Sequence, residues 1–286
     1  AREVCERDGL DSTKLLDKIA IDKIVDLSEE DYRIVWQIKR ENGDWEWLRH
    51  FYYGGPRMPQ EGEITMALKR LVVDMPKMAF VEGLEERSIL DESVMGYSRV
   101  GNDKKSVTSL WNQGFDIAQI SLESPVPDDI TLLVMAAPRE LLTETEWRNL
   151  TLYLDRGDDM LLLLEPEYRE ITNEWTHELL GVEVTPLLVQ ERKIEPQVLV
   201  CPTTEEARKK LYRLTKAVCL PMGGGIEVVA NRGFELFPIA TCDGWTELET
   251  SDFLDDMVCF NSEAGEVKKQ FNTLLGLHRV KNGKKQ

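Results

Sequence analysis

Histidine and cysteine are scarce, three and five among 286 residues. Cys5, Cys201, Cys219, Cys242 and Cys259 lie far apart, are odd in number and include no CxxC pair, which excludes a zinc knuckle and a complete disulfide framework. Cysteines spaced this way read as small buried hydrophobes. Long apolar runs are missing too: Met160 to Leu164 has the length of a strand, far short of the roughly 18 to 20 residues of a membrane-spanning helix. The start, with Arg2, Glu3, Glu6, Arg7 and Asp8, lacks the basic-then-apolar order of a signal peptide, and a first residue other than Met is expected of a trimmed fragment. Basic residues are in deficit, 35 against 52 acidic, and a net charge of −17 repels phosphate backbones, so no nucleic-acid partner is expected. Only the last stretch reverses sign, with Lys268, Lys269, His278, Arg279, Lys281, Lys284 and Lys285. It reads as the solvated end of a helix plus a tail in preference to a membrane-facing basic patch.

With 42% apolar and 30% charged residues, the chain has the composition of a folded globular protein. Ser12 is placed to cap a helix carrying Leu15, Leu16, Ile19 and Ile24. Alternation at Ile34, Trp36 and Ile38, then Asn42-Gly43, then Trp45 and Trp47 predicts a β-hairpin on a type I′ turn. Gly54-Gly55-Pro56 and Pro59 mark a boundary, giving a helix-plus-hairpin region over 1–60 and an α/β domain over 61–286.

From Glu61 a helix presents Ile64, Ala67, Leu68 and Leu71 and ends before Pro76. Strands are expected at Met78 to Val81, Ile117 to Leu122, Ile130 to Ala136 and Met160 to Leu164. Helices are expected around Val107, Leu110 and Trp111, after the Thr143/Glu146 capping box, and at Trp175 to Leu180 before Gly181. Apolar strands alternating with helices predict a doubly wound, mostly parallel sheet. A polar connection over Pro186 to Pro196 leads to a strand at Gln197 to Val200, a helix boxed by Thr203 and Glu206, strands at Ala217 to Leu220 and Phe234 to Ala240, and a turn at Cys242-Asp243-Gly244-Trp245.

Open α/β sheets bind ligands outside the carboxyl ends of their strands. Glu82, Glu85, Glu86 and Arg87 after the first parallel strand, Arg139 and Glu140 after another, and Glu165 after a third are therefore candidate ligand or partner residues. Cys201 is the one candidate nucleophile, before a helix whose dipole lowers a thiol pKa, but no glycine-flanked nucleophile elbow or patterned histidine accompanies it, and a packed cysteine is the favoured reading. Gly223-Gly224-Gly225 lacks the Lys-Ser/Thr of a phosphate loop and reads as a flexible loop. Arg156-Gly157-Asp158 reads as a helix C-cap, and Asp252, Asp255 and Asp256 as solvated helix-end charges, since they lack a calcium loop's glycine and glutamate. No metal and no cofactor is expected.

The run from Leu68 through Pro76, Phe80-Val81-Glu82-Gly83-Leu84-Glu85-Glu86-Arg87-Ser88, the segment Leu133 to Pro138, Leu152-Tyr153-Leu154-Asp155-Arg156-Gly157 leading into Met160 to Pro166, and Pro238 to Thr241 with Trp245 form an ordered set. It resembles the GldG-type, ABC-transporter auxiliary family of extracytoplasmic domains over roughly residues 61 to 286. Leu84 departs from the family's Gly-His-Gly-Glu-like turn, and an acidic segment expected after Gln286 is missing, so the carboxyl end is expected to be truncated.

The resemblance implies a flavodoxin-like or class I glutamine-amidotransferase-like sheet and a periplasmic domain of a membrane-anchored parent. It also implies service beside an ABC transporter permease and ATPase in gliding or export, with a partner protein or a small-molecule or saccharide ligand bound at the sheet's carboxyl edge. A hydrolase or amidotransferase of the same fold, and a structural spacer, are the alternatives.

Overall fold

The computed structural model describes residues 5–7, 9, 11–51, 58–192, 194–211, 214–250, 253, 258–281, 284 and 285. The chain forms two compact units, Ala1–Met75 with Arg99–Phe115, and Pro76–Ser98 with Asp116–Gln286. The boundary signal at Gly54-Gly55-Pro56 and the aspartates at 252, 255 and 256 lie outside the described residues.

In the first unit the expected N-terminal helix is split. Asp11 caps a 3-10 turn at Ser12–Lys14, and Asp17, accepting from the Ala20 N–H at 2.8 Å, starts a separate helix α1 (Lys18–Asp22). Each aspartate offers a backbone donor a nearby acceptor, so two short helices begin where one was expected. Leu15, Leu16, Ile19 and Ile24 are exposed. Strands β1 (Trp36–Lys39) and β2 (Trp45–Leu48) make the predicted hairpin, pairing Trp36 with Leu48 and Lys39 with Trp45. Its turn is not type I′, because Gly43 (φ 100°) has positive φ and Asn42 does not; the Gly43 N–H donates to the Arg40 carbonyl instead.

Helix α2 (Glu61–Val72) follows prediction, with the Glu63 carboxylate accepting from the Gln60 N–H. The helix expected at Val107 to Gly114 is a run of turns. The Asn112 side chain donates to the carbonyls of Lys104 (3.1 Å) and Ser106 (2.8 Å), contacts that compete with the helical ladder.

The second unit holds the parallel sheet, built from β3 (Lys77–Glu82), β4 (Asp116–Ser121), β5 (Ile130–Ala136) and β6 (Asp159–Leu163) in the order β4-β3-β5-β6. Between β3 and β4 the chain makes one helical turn, α3 (Ser98–Gly101); between β5 and β6 runs α4 (Glu144–Asp155), opened by the predicted Thr143/Glu146 box. Leu133, Met135, Leu150, Tyr153 and Trp175 share its core, Trp175 coming from α5 (Arg169–Leu180).

The parallel order stops at β6. Where a polar connection was expected, β7 (Val182–Val189) forms, and with β10 (Gly224–Val228), β11 (Glu235–Thr246) and β12 (Lys268–His278) it closes an antiparallel barrel in the order β10-β12-β11-β7. The architecture is thus α/β with a four-stranded parallel sheet plus antiparallel sheets, not one mostly parallel sheet.

Three sequence readings change with it. The last two of the three glycines open β10, not a flexible loop: a Cβ on Gly225 would sit 2.8 Å from Phe271 and one on Gly224 2.9 Å from Pro166. Cys242 to Trp245 is not a turn but the continuation of β11. The basic stretch begins in strand β12, not at a helix end, and there Lys268 pairs with Glu191 at 3.0 Å and Lys269 with Glu227, while the His278 ring lies 2.6 Å from the Glu235 carboxylate. Beside the barrel, β8 (Val198–Pro202) pairs with β9 (Ala217–Pro221), and α6 (Glu205–Lys210) is capped by Thr204, one residue later than expected. Arg156 and Gly157 (φ 83°) close α4, as the C-cap reading requires.

At the end of β11, buried Glu247 accepts from the N–H groups of Thr250 (2.9 Å) and Glu249 (3.1 Å) and from the Trp245 indole (3.3 Å). Burial works to raise its pKa, but those donors outweigh it and hold the carboxyl below the ordinary glutamate value. A depressed pKa means the folded state binds fewer protons than the unfolded one. The stabilisation is therefore complete above the ordinary value of 4.5 and is lost as the pH falls below it and through the lowered folded-state value. Glu247→Gln is expected to cost about 1 to 2 kcal/mol at neutral pH, with the gap to wild type narrowing below a pH of about 4, as read from urea melts across that range.

Candidate functional site

After β3 the chain passes to β4 on one side and then crosses to β5 on the other, so the strand order reverses at the carboxyl ends of β3 and β5. The loops leaving those strands are stitched together there. The Arg87 N–H donates to the Ala136 carbonyl (2.8 Å), the Arg139 N–H to the Leu84 carbonyl (2.9 Å), and the Ala137 N–H to the Leu163 carbonyl (2.8 Å). Glu85 (φ 53°) and Ala137 (φ 60°) take left-handed backbone to allow it, a conformation that costs a non-glycine residue of order 1 kcal/mol. Leu84 fills the core and is 2% exposed.

Three of the predicted residues meet on this rim. The Arg87 Nε donates to Glu165 Oε1 at 2.6 Å, with the Arg87 Nη2 on the same oxygen, and the Arg139 Nη2 lies 3.6 Å from Glu165 Oε2. One carboxylate thus ties the ends of β3, β5 and β6. The Arg139 guanidinium lies over the Tyr168 ring, 4.9 Å from its centre, while its buried Nε has no hydrogen-bond partner. Tyr97 sits within the field of Arg87 and Glu165, and burial pushes its phenol up.

Glu86 serves the turn by accepting from the Leu84 N–H at 2.7 Å. Glu82, Glu85 and Glu140 are exposed and make no ion pair among the described residues.

What sequence reasoning missed is the loop beside this cluster. Ser88 to Ser98 is held by the Tyr97 N–H on the Ser88 carbonyl (2.9 Å), the Ser93 N–H on the Asp91 carboxylate (2.8 Å) and the Ser98 N–H on the Asp91 carbonyl (3.2 Å). The donors on its carboxylate hold the Asp91 pKa down, the Ser93 backbone foremost. Arg87 reaches the Met95 carbonyl at 2.9 Å. On this ordered frame Leu90, Val94 and Met95 are exposed, Val94 by 96%, and Leu141 beyond Arg139 is exposed too. The available signal was Leu90, Val94 and Met95 set among acidic and hydroxyl residues without periodicity.

A cleft of about 330 Å³ opens elsewhere, lined by Arg169, Asn173, Thr185, Glu227, Val267 and Phe271 among others. Its polar groups are spent on the fold: Asn173 bonds both ways to the Val184 backbone, and Thr185 Oγ1 accepts from the Gly225 N–H at 2.8 Å.

Cys201 has no solvent-accessible surface and packs in one buried cluster with Cys242. The three histidines are engaged elsewhere, His50 tilted against the Trp36 ring, His177 on Glu183 at 2.5 Å and His278 on Glu235. Among the described residues no cluster of His, Cys, Asp or Glu suits a metal ion, and no helix is long and apolar enough to cross a membrane.

No family model matches the chain, and no curated protein matches it. A solved structure described as "mmIFT52 N-terminal domain" is similar over 62% of this chain and 82% of that one, with a TM-score of 0.43 and 16% identity. A likeness at that level carries no argument about fold or activity.

Proposed function

We propose that the chain is a non-catalytic, periplasmic domain of a membrane-anchored ABC-type transport component, and that it engages a partner protein through the carboxyl edge of its parallel sheet. The observation that carries the partner surface is the stitched switch point. Backbone hydrogen bonds and the Arg87–Glu165–Arg139 cluster fill the crevice in which a small ligand of an open α/β sheet would lie. Leu90, Val94, Met95 and Leu141 stand exposed around that cluster. A rigid, charged centre flanked by exposed apolar side chains suits a protein surface better than a small molecule or saccharide. The transport assignment draws on the GldG-type resemblance, and with it the further reading that the four parallel strands are the core of a doubly wound sheet.

The test is recovery of tagged protein from native membranes with its permease and ATPase subunits, quantified by mass spectrometry. Val94→Asp and Arg87→Glu are each expected to lower recovery of both subunits at least tenfold while circular dichroism stays that of wild type. Equal recovery with the Val94→Asp variant, whose side chain is solvent-exposed and touches no core, would remove the carboxyl edge as the surface. Absence of both subunits from the wild-type eluate would remove the transport assignment.

A further inference from the structure

Strand β8 lies beside β11 as well as β9. Thr203 and Ala240 form an antiparallel bridge, and the Thr204 N–H donates to the Ile239 carbonyl at 2.9 Å. That bond joins residues one step outside the bridge, so Thr203 and Ala240 are a non-hydrogen-bonded pair. Carried two residues further, the register of that bridge sets Cys201 against Cys242, again at a non-hydrogen-bonded position. Side chains two apart on a strand share a face, and such positions bring opposed Cα atoms to about 4.5 Å, within the span a disulfide accepts. Both residues are fully buried in one cluster with Leu188, Leu199, Ala240 and Phe271, and each side chain shifts the titration of the other, Cys201 downward and Cys242 upward.

We propose that Cys201 and Cys242 are a cross-strand disulfide site, closed when the chain folds in the presence of a small-molecule disulfide oxidant such as glutathione disulfide. One cysteine thiolate attacks the oxidant and releases one thiol. The second cysteine thiolate then attacks the first cysteine's sulfur in that mixed disulfide, forming the Cys–Cys bond and expelling the other half of the oxidant as a thiol. The two protons and two electrons given up by the cysteines end on the two released thiols. Because both side chains have no accessible surface, the bond closes during folding, before the barrel excludes the oxidant.

The link would join the β8–β9 hairpin to the barrel, where the direct ties now include Thr204 Oγ1 on the Pro238 carbonyl (2.8 Å) and Gln190 on the Val200 N–H (2.8 Å). It does not depend on the transport reading. Of the three cysteines left over, Cys5 is buried and Cys219 and Cys259 are exposed, and Cys219 pairs with Val200 on the neighbouring strand.

Refolding the reduced, denatured chain with reduced and oxidised glutathione, then denaturing it in an alkylating agent and digesting it, reads the result. The expected product is a peptide pair joined through Cys201 and Cys242, with a melting temperature on the order of 10 °C above that of the reduced chain, as a closed loop of about 40 residues implies. A variant with Cys5, Cys219 and Cys259 all changed to Ser is expected to lose the same two hydrogens, and Cys201→Ser or Cys242→Ser to lose none within the chain. Should wild-type protein refold poorly, diamide added to the native chain under partial urea gives the same readout. Alkylation of both Cys201 and Cys242 after either oxidation, or a dominant link from either to Cys219, would overturn the assignment.

Discussion

Gly181→Ala is expected to destabilise the second unit by about 3 to 5 kcal/mol, lowering its melting temperature by roughly 10 °C. Gly181 closes α5 with φ 73°, its N–H donating to the carbonyls of Thr176 (3.0 Å) and His177 (3.1 Å). An alanine here incurs the left-handed penalty of about 1 to 2 kcal/mol. Steric conflict costs more than that: an added Cβ would lie 2.1 Å from the Ala230 carbonyl oxygen, a backbone atom that the Gly181 carbonyl itself holds in place by accepting from the Val229 and Ala230 N–H groups. Gly233 isolates the conformational penalty, since its φ is 82° and nothing lies within 4 Å of the added Cβ. Gly233→Ala is therefore expected to cost about 1 kcal/mol. Urea denaturation of both variants separates the two contributions, and equal losses would show that the close approach at Ala230 carries no cost.

The same glycine marks where the sequence stops being easy to read. Between Ile130 and Gly181, period and capping agree: Ile130 to Ala136 is apolar but for the exposed Thr131, as a strand buried along most of its length requires, and Thr143, Glu146 and Gly157 bracket α4. Beyond it the barrel strands carry mixed signals. β7 has no strict alternation and contains Pro186, β10 begins on two glycines, and β12 begins Lys-Lys-Gln with Phe271 and Thr273 as its inward pair. Asp243-Gly244 looks like a turn in the sequence, but Gly244 is there because a Cβ would meet the Val189 carbonyl oxygen at 2.3 Å. Close strand approach demands small residues, and small residues imitate turns.

The rim was legible to the extent that strand ends predict it. Arg87, Arg139 and Glu165 were found because each follows a parallel strand, but that one carboxylate serves both arginines depends on loop geometry that spacing does not encode. Cys201 and Cys242 were read separately, one before a helix and one in a turn, and only the register between β8 and β11 makes them a pair.

In the first unit the largest effect is expected at Glu30. Its carboxylate is 1% exposed and meets Arg49 through two parallel bonds, Nε to Oε2 at 3.0 Å and Nη2 to Oε1 at 2.6 Å, with Arg33 3.8 Å away. Arg49 follows strand β2 and is itself buried, its other nitrogen 3.7 Å from Glu46. Removing the carboxylate alone leaves a desolvated guanidinium, and Glu30→Ala is expected to cost about 3 to 5 kcal/mol. The pair as a whole contributes far less than that loss, because desolvating both charges offsets most of their attraction. Replacing both at once, as Glu30→Leu with Arg49→Met, is therefore expected to restore stability to within about 1 kcal/mol of wild type. Hydrogen exchange of the hairpin amides in Trp36–Lys39 and Trp45–Leu48 measures both variants. Exchange should quicken about 100-fold or more in the single variant and return toward wild type in the double. If the double variant exchanges as fast as the single one, Glu30 and Arg49 hold the hairpin by a directed contact that apolar packing does not replace.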